Sequence, residues 1–193
     1  MPTRTSRHEA THERIVEVAA RTLRRDGYAG VGVADVMKQA GLTHGGFYAH
    51  FQSRDALIAE AIDRAGRDTL AAMGAHIDAS AARGESPLRA LVEQYLSAAH
   101  RDNAEGGCVV AALGSEMARQ PAALQGPSAE RVRELITLVQ RALPRGGNRQ
   151  QAMVIASTLV GTLQLARALG ANAQGKAVLA AARSALLAQY EAT

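Results

Sequence analysis

The stretch VADVMKQAGLTHGGFY, residues 33–48, decides the fold. Its pattern predicts two short helices, 33–40 and 44–51, that meet at the tight turn Gly41-Leu42. Glycine at position 41 can adopt the positive φ that such a turn requires. The apolar residues of both helices can face inward toward a preceding helix, and they are Val36, Met37, Ala40, Leu42 and Phe47. Two short helices with this spacing predict a helix-turn-helix.

The outward side of the second predicted helix carries short, polar or aromatic residues. They are Thr43, His44, Gly45, Tyr48 and His50. Thr43 can cap the helix, and the free N–H groups at a helix N-terminus suit a DNA phosphate. Side chains of these kinds can also meet base edges. The alternative is that the two histidines are simple surface residues and that Tyr48 is an ordinary packed tyrosine.

Five short strings lie within residues 33–48 or close to them, at a characteristic distance from the N-terminus. They are Asp26-Gly27-Tyr28, Asp35-Val36, Ala40-Gly41-Leu42-Thr43, Phe47-Tyr48-Ala49-His50-Phe51 and Ser53-Arg54-Asp55-Ala56-Leu57. Through these strings, residues 8–60 resemble the DNA-binding domain of TetR/AcrR-type regulators. The run 41–48 resembles one particular branch of that family, and chain length and helix count agree with the family over the remaining residues.

The resemblance implies a role for individual residues. Thr43, His44 and Gly45 match the first positions of the recognition helix, which contact DNA. Tyr48 matches the position whose hydroxyl touches a phosphate, and His50 matches another position that contacts the DNA backbone or a base. One further residue, Arg54, stands where the family commonly has a phosphate-binding lysine.

Two residues depart from the family pattern. Gly32 occupies the N-cap of the first helix, where the family has Ser or Thr, so only its backbone N–H remains for a phosphate. Met37 replaces a common alanine, so the packing between the two helices must adjust to a larger side chain.

Composition favours an all-α protein of one full domain or two small ones. Hydrophobic residues make up 47% of the 193, while aromatic residues make up 3% and Trp is absent. Alanine, the best helix former, occurs 41 times. The scarcity of aromatic and β-branched residues argues against sandwiches, barrels and Rossmann folds.

Charge and cysteine content bear on whether the protein can bind nucleic acid and on the cellular compartment in which it functions. The net charge is +4, and 20 of the 22 basic residues are arginine, which suits phosphate and base recognition but also follows from GC-rich coding DNA. Residues 1–60 are nearly neutral, with eight basic and seven acidic side chains. The single Cys108 fits a reducing cytoplasm. No signal peptide is apparent, and the apolar run 152–166 is too short and too polar to favour a membrane span.

Hydrophobic spacing and turn residues predict about nine helices. Residues 1–7 are expected to form a mobile arm. Three short N-terminal helices, 8–26, 33–40 and 44–51, make a helix-turn-helix DNA-binding domain over residues 1–52. A helical effector-binding and dimerisation domain follows over 53–193. Its helices are expected at 53–77, from Pro87 to just before Asn103, and at 108–119, 128–143, 148–169 and 174–190.

The last two predicted helices resemble a dimer surface. Helix-turn-helix proteins bind as dimers because two half-sites about 34 Å apart lie on one face of the duplex. Apolar and small residues recur there at helical spacing, together with one arginine: Met153, Ala156, Val160, Leu163, Arg167, Val178, Ala182, Ala185 and Leu186. The family resemblance implies a four-helix interface, and the alternative is that these faces pack the core of one chain.

A small, apolar effector is expected among the middle helices. Its candidate contacts are Leu91, Tyr95, Cys108, Met117 and Leu138. Cys108 follows two glycines and opens a predicted helix, where a thiolate is stabilised. Some TetR-type regulators with Gly-Cys at this place resemble sensors of electrophiles or oxidants, whereas the simpler interpretation is a small buried packing residue.

The sequence therefore predicts a ligand-responsive repressor that binds palindromic double-stranded operator DNA as a homodimer and is released by an effector. The alternative is a repressor that senses electrophiles or oxidants through Cys108. No catalytic set, cofactor or metal is expected. His8 and His12, four residues apart, are interpreted as solvated surface. Two less favoured interpretations are a ligand-binding protein that has lost DNA binding and a thiol-dependent enzyme.

Overall fold

The computed structural model describes residues 4–191, with side chains from Arg7 onward. This part of the chain contains nine α-helices, one 3-10 helix and no β-strand, which confirms the all-α prediction. The elements are α1 (Arg4–Gly30), α2 (Val33–Gln39), the 3-10 helix His44–Ala49, α3 (Arg54–Ala82), α4 (Pro87–Tyr95), α5 (Ala98–Asp102), α6 (Val109–Met117), α7 (Ala122–Ala142), α8 (Arg149–Leu169) and α9 (Ala173–Tyr190).

The first helix differs from its prediction at both ends. It begins at Arg4, so the expected arm is wrong for residues 4–7, and residues 1–3 lie outside the described part. The predicted stop at Asp26-Gly27 is a kink instead. Gly27 has φ 72° and ψ −175°, after which helical hydrogen bonding continues to Gly30.

Three other boundaries were wrong, and one of them is the end of α3, which lies at Ala82 rather than at residue 77. The predicted helix before Asn103 is divided into α4 and α5, because Ser97 accepts a hydrogen bond from the His100 N–H and starts a new helix. The seventh helix begins at Ala122 rather than 128 and contains Pro127. A proline there removes one backbone hydrogen bond near the helix start without ending the helix.

Two helix starts predicted from local residue types, at Ser53 and Pro87, are present. The Ser53 hydroxyl accepts a hydrogen bond from the Ala56 N–H at 3.1 Å and starts α3. Pro87 occupies the first turn of α4, where its missing N–H has no cost. These local signals explain why the predicted starts of the two helices agree with the structure.

One continuous hydrophobic core joins the N-terminal helices to the rest of the chain. α3 packs against α1 on one side and against α7 on the other. Leu57, Ile58 and Ile62, near the start of α3, are fully buried. The N-terminal part therefore shares its core with the body, and a shift of α3 would reach both.

α8 is long and apolar enough to cross a membrane by length and composition alone. It packs against α9 and α7, and its residues Ile155, Leu159 and Leu163 are fully buried within the bundle. One side of α8 thus packs in the core of the bundle, and the other side, with Val154 and Leu165, is exposed.

Candidate nucleic-acid interface and regulatory core

The turn of the helix-turn-helix has the predicted conformation. Gly41 has φ 72°, and its N–H bonds to the Lys38 carbonyl at 3.0 Å. The Leu42 N–H bonds back to the Met37 carbonyl at 2.9 Å. These bonds close the end of α2 and direct the chain into the 3-10 helix.

The inward side chains fix the two helices to each other. Met37 and Phe47 are buried, and the Phe47 ring stacks on Phe51 with ring centroids 5.6 Å apart. The Met37 methyl carbon lies 3.6 Å from the position a Cβ would have at Gly46. The larger residue at 37 thus reaches the 3-10 helix in ordinary van der Waals contact.

The outward side exposes the predicted DNA-contacting residues at the N-terminal end. Thr43, His44 and Gly45 are exposed, and Tyr48 is 72% exposed. An exposed tyrosine ring on a well-packed helix is available for a partner. Thr43 occupies the N-cap position, but its hydroxyl makes no capping hydrogen bond, so the predicted side-chain cap is absent. The predicted second helix is a 3-10 helix of six residues.

His50 lies apart from these residues, against α1. Its ring stacks on His8 with centroids 4.3 Å apart, and its Nδ1 is buried without a hydrogen-bond partner. Burial, reinforced by His8 and His12, lowers the pKa of His50. His12 Nε2 lies 2.7 Å from a carboxylate oxygen of Glu60 on α3. The predicted contact of His50 with DNA stays a prediction.

Gly32 and Arg54 lie at the junction of α1, α2 and α3. Gly32 is the N-cap of α2, with φ −82° and ψ 129°, and offers only its backbone. The Arg54 Nε donates to the Val31 carbonyl at 2.8 Å, and its Nη2 donates to the Tyr28 carbonyl. Because two of its nitrogens stabilise the α1–α2 turn, a phosphate contact by this arginine stays a prediction.

The C-terminal end of α1 is fastened to the body by polar contacts that we call the α1 clamp. The Arg24 Nε donates to the Glu105 carbonyl, and its Nη1 donates to the Ala65 carbonyl at 3.3 Å. The full set of contacting pairs is Arg24–Glu105, Arg24–Ala65, Arg25–Glu105, Tyr28–Glu116 and Tyr28–Ser128.

Two contacts of the α1 clamp involve Tyr28. A Glu116 carboxylate oxygen on α6 accepts from the Tyr28 N–H at 3.3 Å. The Tyr28 hydroxyl lies 3.0 Å from the Ser128 hydroxyl on α7. α1 is therefore tied directly to α6 and α7. Sequence reasoning missed these pairs, which are 88 and 100 residues apart and share no local motif.

The predicted effector contacts all lie inside the core: Leu91, Tyr95, Cys108, Met117 and Leu138 are buried. The Tyr95 side chain is buried, and burial, followed by the neighbouring Cys108 thiol, raises the pKa of its hydroxyl. Cys108 is the N-cap of α6, as its predicted position required. The structure thus packs these residues tightly and leaves their predicted contact with an effector as a prediction.

His100 connects the Tyr95 and Cys108 backbones. Its Nδ1 lies 2.7 Å from the Tyr95 carbonyl, and its Nε2 accepts from the Cys108 N–H at 2.9 Å. This pair of bonds requires a neutral ring with its proton on Nδ1. Burial lowers the pKa of His100, which agrees with the neutral form.

Surface grooves lie near these residues. Leu138 lines a groove of about 250 Å³ together with Glu134 and Arg141. A second groove, of about 690 Å³, lies between α1, α6 and α8, with Arg24, Ser115 and Arg167 among its walls. Leu138 also lines a smaller cavity of about 100 Å³ with Ile77 of α3 and Pro87 of α4, which lies among the middle helices.

α8 has two apolar faces, which separates the predicted dimer residues. Ala156 and Leu163 are buried within the single chain, as is Leu186 of α9, so these three pack its own core. The other face is exposed and apolar, with Met153, Val154, Leu165 and Leu169. Only this second face is free to meet another chain.

Two regions of the chain match protein families. Residues 15–61 match the family described as bacterial regulatory proteins, tetR family. Residues 84–183 match the tetracyclin repressor-like C-terminal domain. No protein among the curated ones matches the chain.

Solved structures of similar shape include a TetR family transcriptional regulator from Agrobacterium tumefaciens, with 19% identity, a TM-score of 0.74, and coverage of 95% of this chain and 98% of that one. A TetR transcriptional regulator from Chloroflexus aurantiacus has 22% identity, a TM-score of 0.71, and coverage of 95% and 97%. The reduced form of NemR from E. coli has 19% identity, a TM-score of 0.72, and coverage of 91% and 96%. At these identities the likeness concerns the fold.

The two family matches together span more than half of the chain, and they bracket the helix-turn-helix and the helical body described above. The chain is therefore a member of the TetR family of transcriptional regulators, with an N-terminal DNA-binding helix-turn-helix and an all-α C-terminal domain.

Proposed function

We propose that this protein is a ligand-responsive repressor that binds palindromic operator DNA as a homodimer. The observation that carries the proposal is the exposed surface of Thr43, His44, Gly45 and Tyr48 on a rigidly packed helix-turn-helix. Phosphate contacts supply affinity and base contacts supply specificity, and this surface has groups for both. We keep residues 1–52 as the DNA-binding domain and 53–193 as the effector-binding and dimerisation domain, and we place the protein in the cytoplasm.

Selection of DNA sites from a random pool, using the purified full chain, tests this proposal. We expect a two-fold symmetric site bound as a dimer. Tyr48→Phe should weaken binding to every sequence alike, and His44→Ala should also relax the base preference. Failure to enrich any sequence would remove operator binding from the proposal.

The exposed apolar face of α8 supports the proposal of a homodimer. Val154 is 53% exposed and Leu165 is 60% exposed, and Met153 and Leu169 extend the same face. Contiguous exposed apolar residues on one helix favour an interface with another chain. Two copies joined here would present two recognition helices to one face of the duplex.

The α1 clamp supports the proposal that an effector releases the protein from DNA. An effector that binds better to the conformation with separated recognition helices lowers DNA affinity by linkage. The contacts of Glu116 and Ser128 with Tyr28 give α6 and α7 a direct mechanical connection to α1. The protein acts on DNA through binding, and no catalytic role is proposed.

The alternative function, a sensor of electrophiles or oxidants acting through Cys108, is favoured by one observation. Burial, followed by the neighbouring Cys108 thiol, raises the pKa of the Tyr95 hydroxyl, so the thiol lies beside a polar group inside the core. The burial of Cys108, at 2% exposure, opposes rapid reaction. Iodoacetamide modification faster than that of a free cysteine peptide, with DNA release that Cys108→Ser abolishes, would support the sensor; a slower rate would exclude it.

A further inference from the structure

The first residue of α3, Arg54, holds the turn between α1 and α2. Its Nε donates to the Val31 carbonyl at 2.8 Å, and its Nη2 donates to the Tyr28 carbonyl. Both carbonyls lie in the short segment that ends at Gly32, the N-cap of α2. One guanidinium therefore joins the start of α3 to the start of α2.

The position of this arginine is unfavourable for α3 itself. The N-terminus of a helix carries a partial positive charge, which disfavours a cation in the first turn. Carbonyl groups at the C-terminal end of a helix carry the opposite partial charge and lack partners within their helix. α1 ends at Gly30, so the Tyr28 carbonyl lies in its last turn and the Val31 carbonyl directly follows the helix. Arg54 therefore stabilises the end of α1 rather than its own helix.

The two bonds depend on the shape of the arginine side chain. Nε and Nη2 lie on the same edge of the planar guanidinium, so they can donate to two acceptors at once in a fixed geometry. A lysine ammonium is a compact charge on a flexible stem and lacks this fixed pair of donors. By the family resemblance, lysine is common at position 54 and binds a phosphate there. The arginine of this chain keeps the positive charge but uses it within the protein.

Tyr28 connects the Arg54 contact to the α1 clamp. Its carbonyl accepts from Arg54, its N–H donates to Glu116 of α6, and its hydroxyl lies 3.0 Å from that of Ser128 on α7. Val31, between Tyr28 and α2, is fully buried, so its side chain anchors the same segment in the core. This segment is thus held by α6 and α7 on one side and by the start of α3 on the other.

We infer that Arg54 is a positioning residue for operator binding, which acts through the Tyr28 and Val31 carbonyls. Its contribution is to fix the start of α2 on α3, and with it the orientation of the helix-turn-helix. A DNA-binding surface that is already held in its binding orientation loses less conformational freedom when DNA binds. The inference rests on the proposed operator binding, and it replaces the phosphate contact of Arg54 that was expected from the sequence.

Operator affinity of Arg54→Lys and Arg54→Gln, measured by fluorescence anisotropy with the full chain, tests the inference. Lysine keeps a cation for a phosphate but cannot donate to both carbonyls as the guanidinium does. We expect both variants to weaken operator binding by about ten-fold, because each loses a hydrogen bond from a charged group. Arg67→Lys and Arg67→Gln are the matched controls, since Arg67 is an exposed arginine of the same helix that pairs with Asp63, and they should leave the affinity unchanged. An affinity of Arg54→Lys close to that of wild type would overturn the inference and assign a phosphate contact to this position.

Hydrogen exchange without DNA separates positioning from a general loss of stability. Peptides that cover residues 28–40 should exchange about ten-fold faster in Arg54→Lys than in wild type, because the lost bond eases local opening of this segment. Peptides from α8 should exchange at the wild-type rate. Circular dichroism checks the fold, and Arg54→Lys alone decides the matter if Arg54→Gln does not fold. Unchanged exchange over 28–40, or equally faster exchange in all helices, would overturn the inference.

A double-mutant cycle of Arg54→Lys with Ser128→Ala tests the connection to the α1 clamp. Both variants remove a bond to Tyr28, so their effects on exchange over residues 28–40 should be non-additive, and additive effects would overturn this connection. The wild-type chain separates the inference from the proposed function. Absence of operator binding in wild type would contradict the proposed function, whereas wild-type binding that Arg54→Lys leaves intact would overturn the inference alone.

Discussion

The helix-turn-helix and the α1 clamp are both built around short turns, but the contacts that define them lie at different distances along the chain. The turn at Gly41 is closed by hydrogen bonds between residues three to five positions apart. The turn at Gly27 is held by Glu116 and by Tyr28 contacting Ser128, which lie about 90 to 100 residues away. The first turn is therefore a local property of the sequence, whereas the second depends on the packing of the whole chain.

Because of this difference, we expect changes in the body of the protein to affect the α1 clamp more than the recognition surface. The turn that carries the recognition surface is closed by its own short-range hydrogen bonds. The α1 clamp changes whenever α6 or α7 moves, because each contributes a polar partner to α1. Variants on the exposed face of α8, at Gly27, at Tyr48 and at His100 should show how far the recognition surface and the α1 clamp are independent of each other.

The largest effect is expected at the exposed face of α8. Val154→Arg should leave the single chain folded but weaken dimerisation by about a hundred-fold or more, because a charge would be buried without a partner. Operator affinity should fall with it. Sedimentation and gel-shift measurements check both, and Val132→Arg, at an exposed valine of α7, is the control. Persistence of the dimer at micromolar concentration would place the interface elsewhere.

Gly27→Ala should affect stability more than the same change at Gly84. Both glycines have positive φ, 72° and 80°, and Gly27 also has ψ −175°, a combination that is essentially confined to glycine, so its alanine bears backbone strain as well. A Cβ at Gly27 would lie 2.8 Å from a Glu116 carboxylate oxygen, whereas Gly84 has open space. Displacing Glu116 breaks its bond to Tyr28, so we expect about 1 kcal/mol greater loss of unfolding free energy.

Urea unfolding of both glycine variants measures this difference. A double-mutant cycle with Glu116→Ala should show strong coupling to Gly27 and none to Gly84. Equal losses at the two glycines would mean that the carboxylate contributes nothing to the α1 clamp.

Tyr48→Phe should weaken operator binding by about five-fold while leaving unfolding free energy unchanged. The ring is 72% exposed, so its hydroxyl has no structural role in the free protein, and the expected loss is that of one phosphate hydrogen bond. Fluorescence anisotropy on operator and on random DNA should give similar ratios. A loss confined to the operator would indicate a base contact instead.

The smallest expected effect is a decline of stability in mild acid. Burial lowers the pKa of both His50 and His100, so below the ordinary pKa of 6.5 the folded chain binds fewer protons than the unfolded chain. Unfolding free energy from these groups should therefore be constant above about pH 7 and fall as the pH drops below 6.5. Urea titrations at several pH values should show a weaker decline in His100→Gln than in wild type. The exposed His44→Gln is the control, and an unchanged slope in His100→Gln would exclude this contribution.

The sequence predicted the elements that local chemistry determines. Residues 40–43 specified a turn, Ser53 specified a helix start, and apolar residues three to four positions apart specified the long helices. The errors arose where tertiary contacts decide. The kink at Gly27 continues into more helix because α6 and α7 hold it there, and Leu138 alone of the predicted effector contacts borders a groove.

Because the 3-10 helix is short, one chain can contact only a few base pairs and so cannot by itself identify one site in a genome. Six residues at about 2.0 Å each extend about 12 Å, which spans about three to four base pairs. A match of that length recurs by chance about once in every hundred positions of random DNA, far too often to mark a promoter among the competing sites of a genome. Two such helices held at a fixed separation multiply their selectivities. The operator must therefore contain two half-sites, and the distance between the half-sites adds to its specificity.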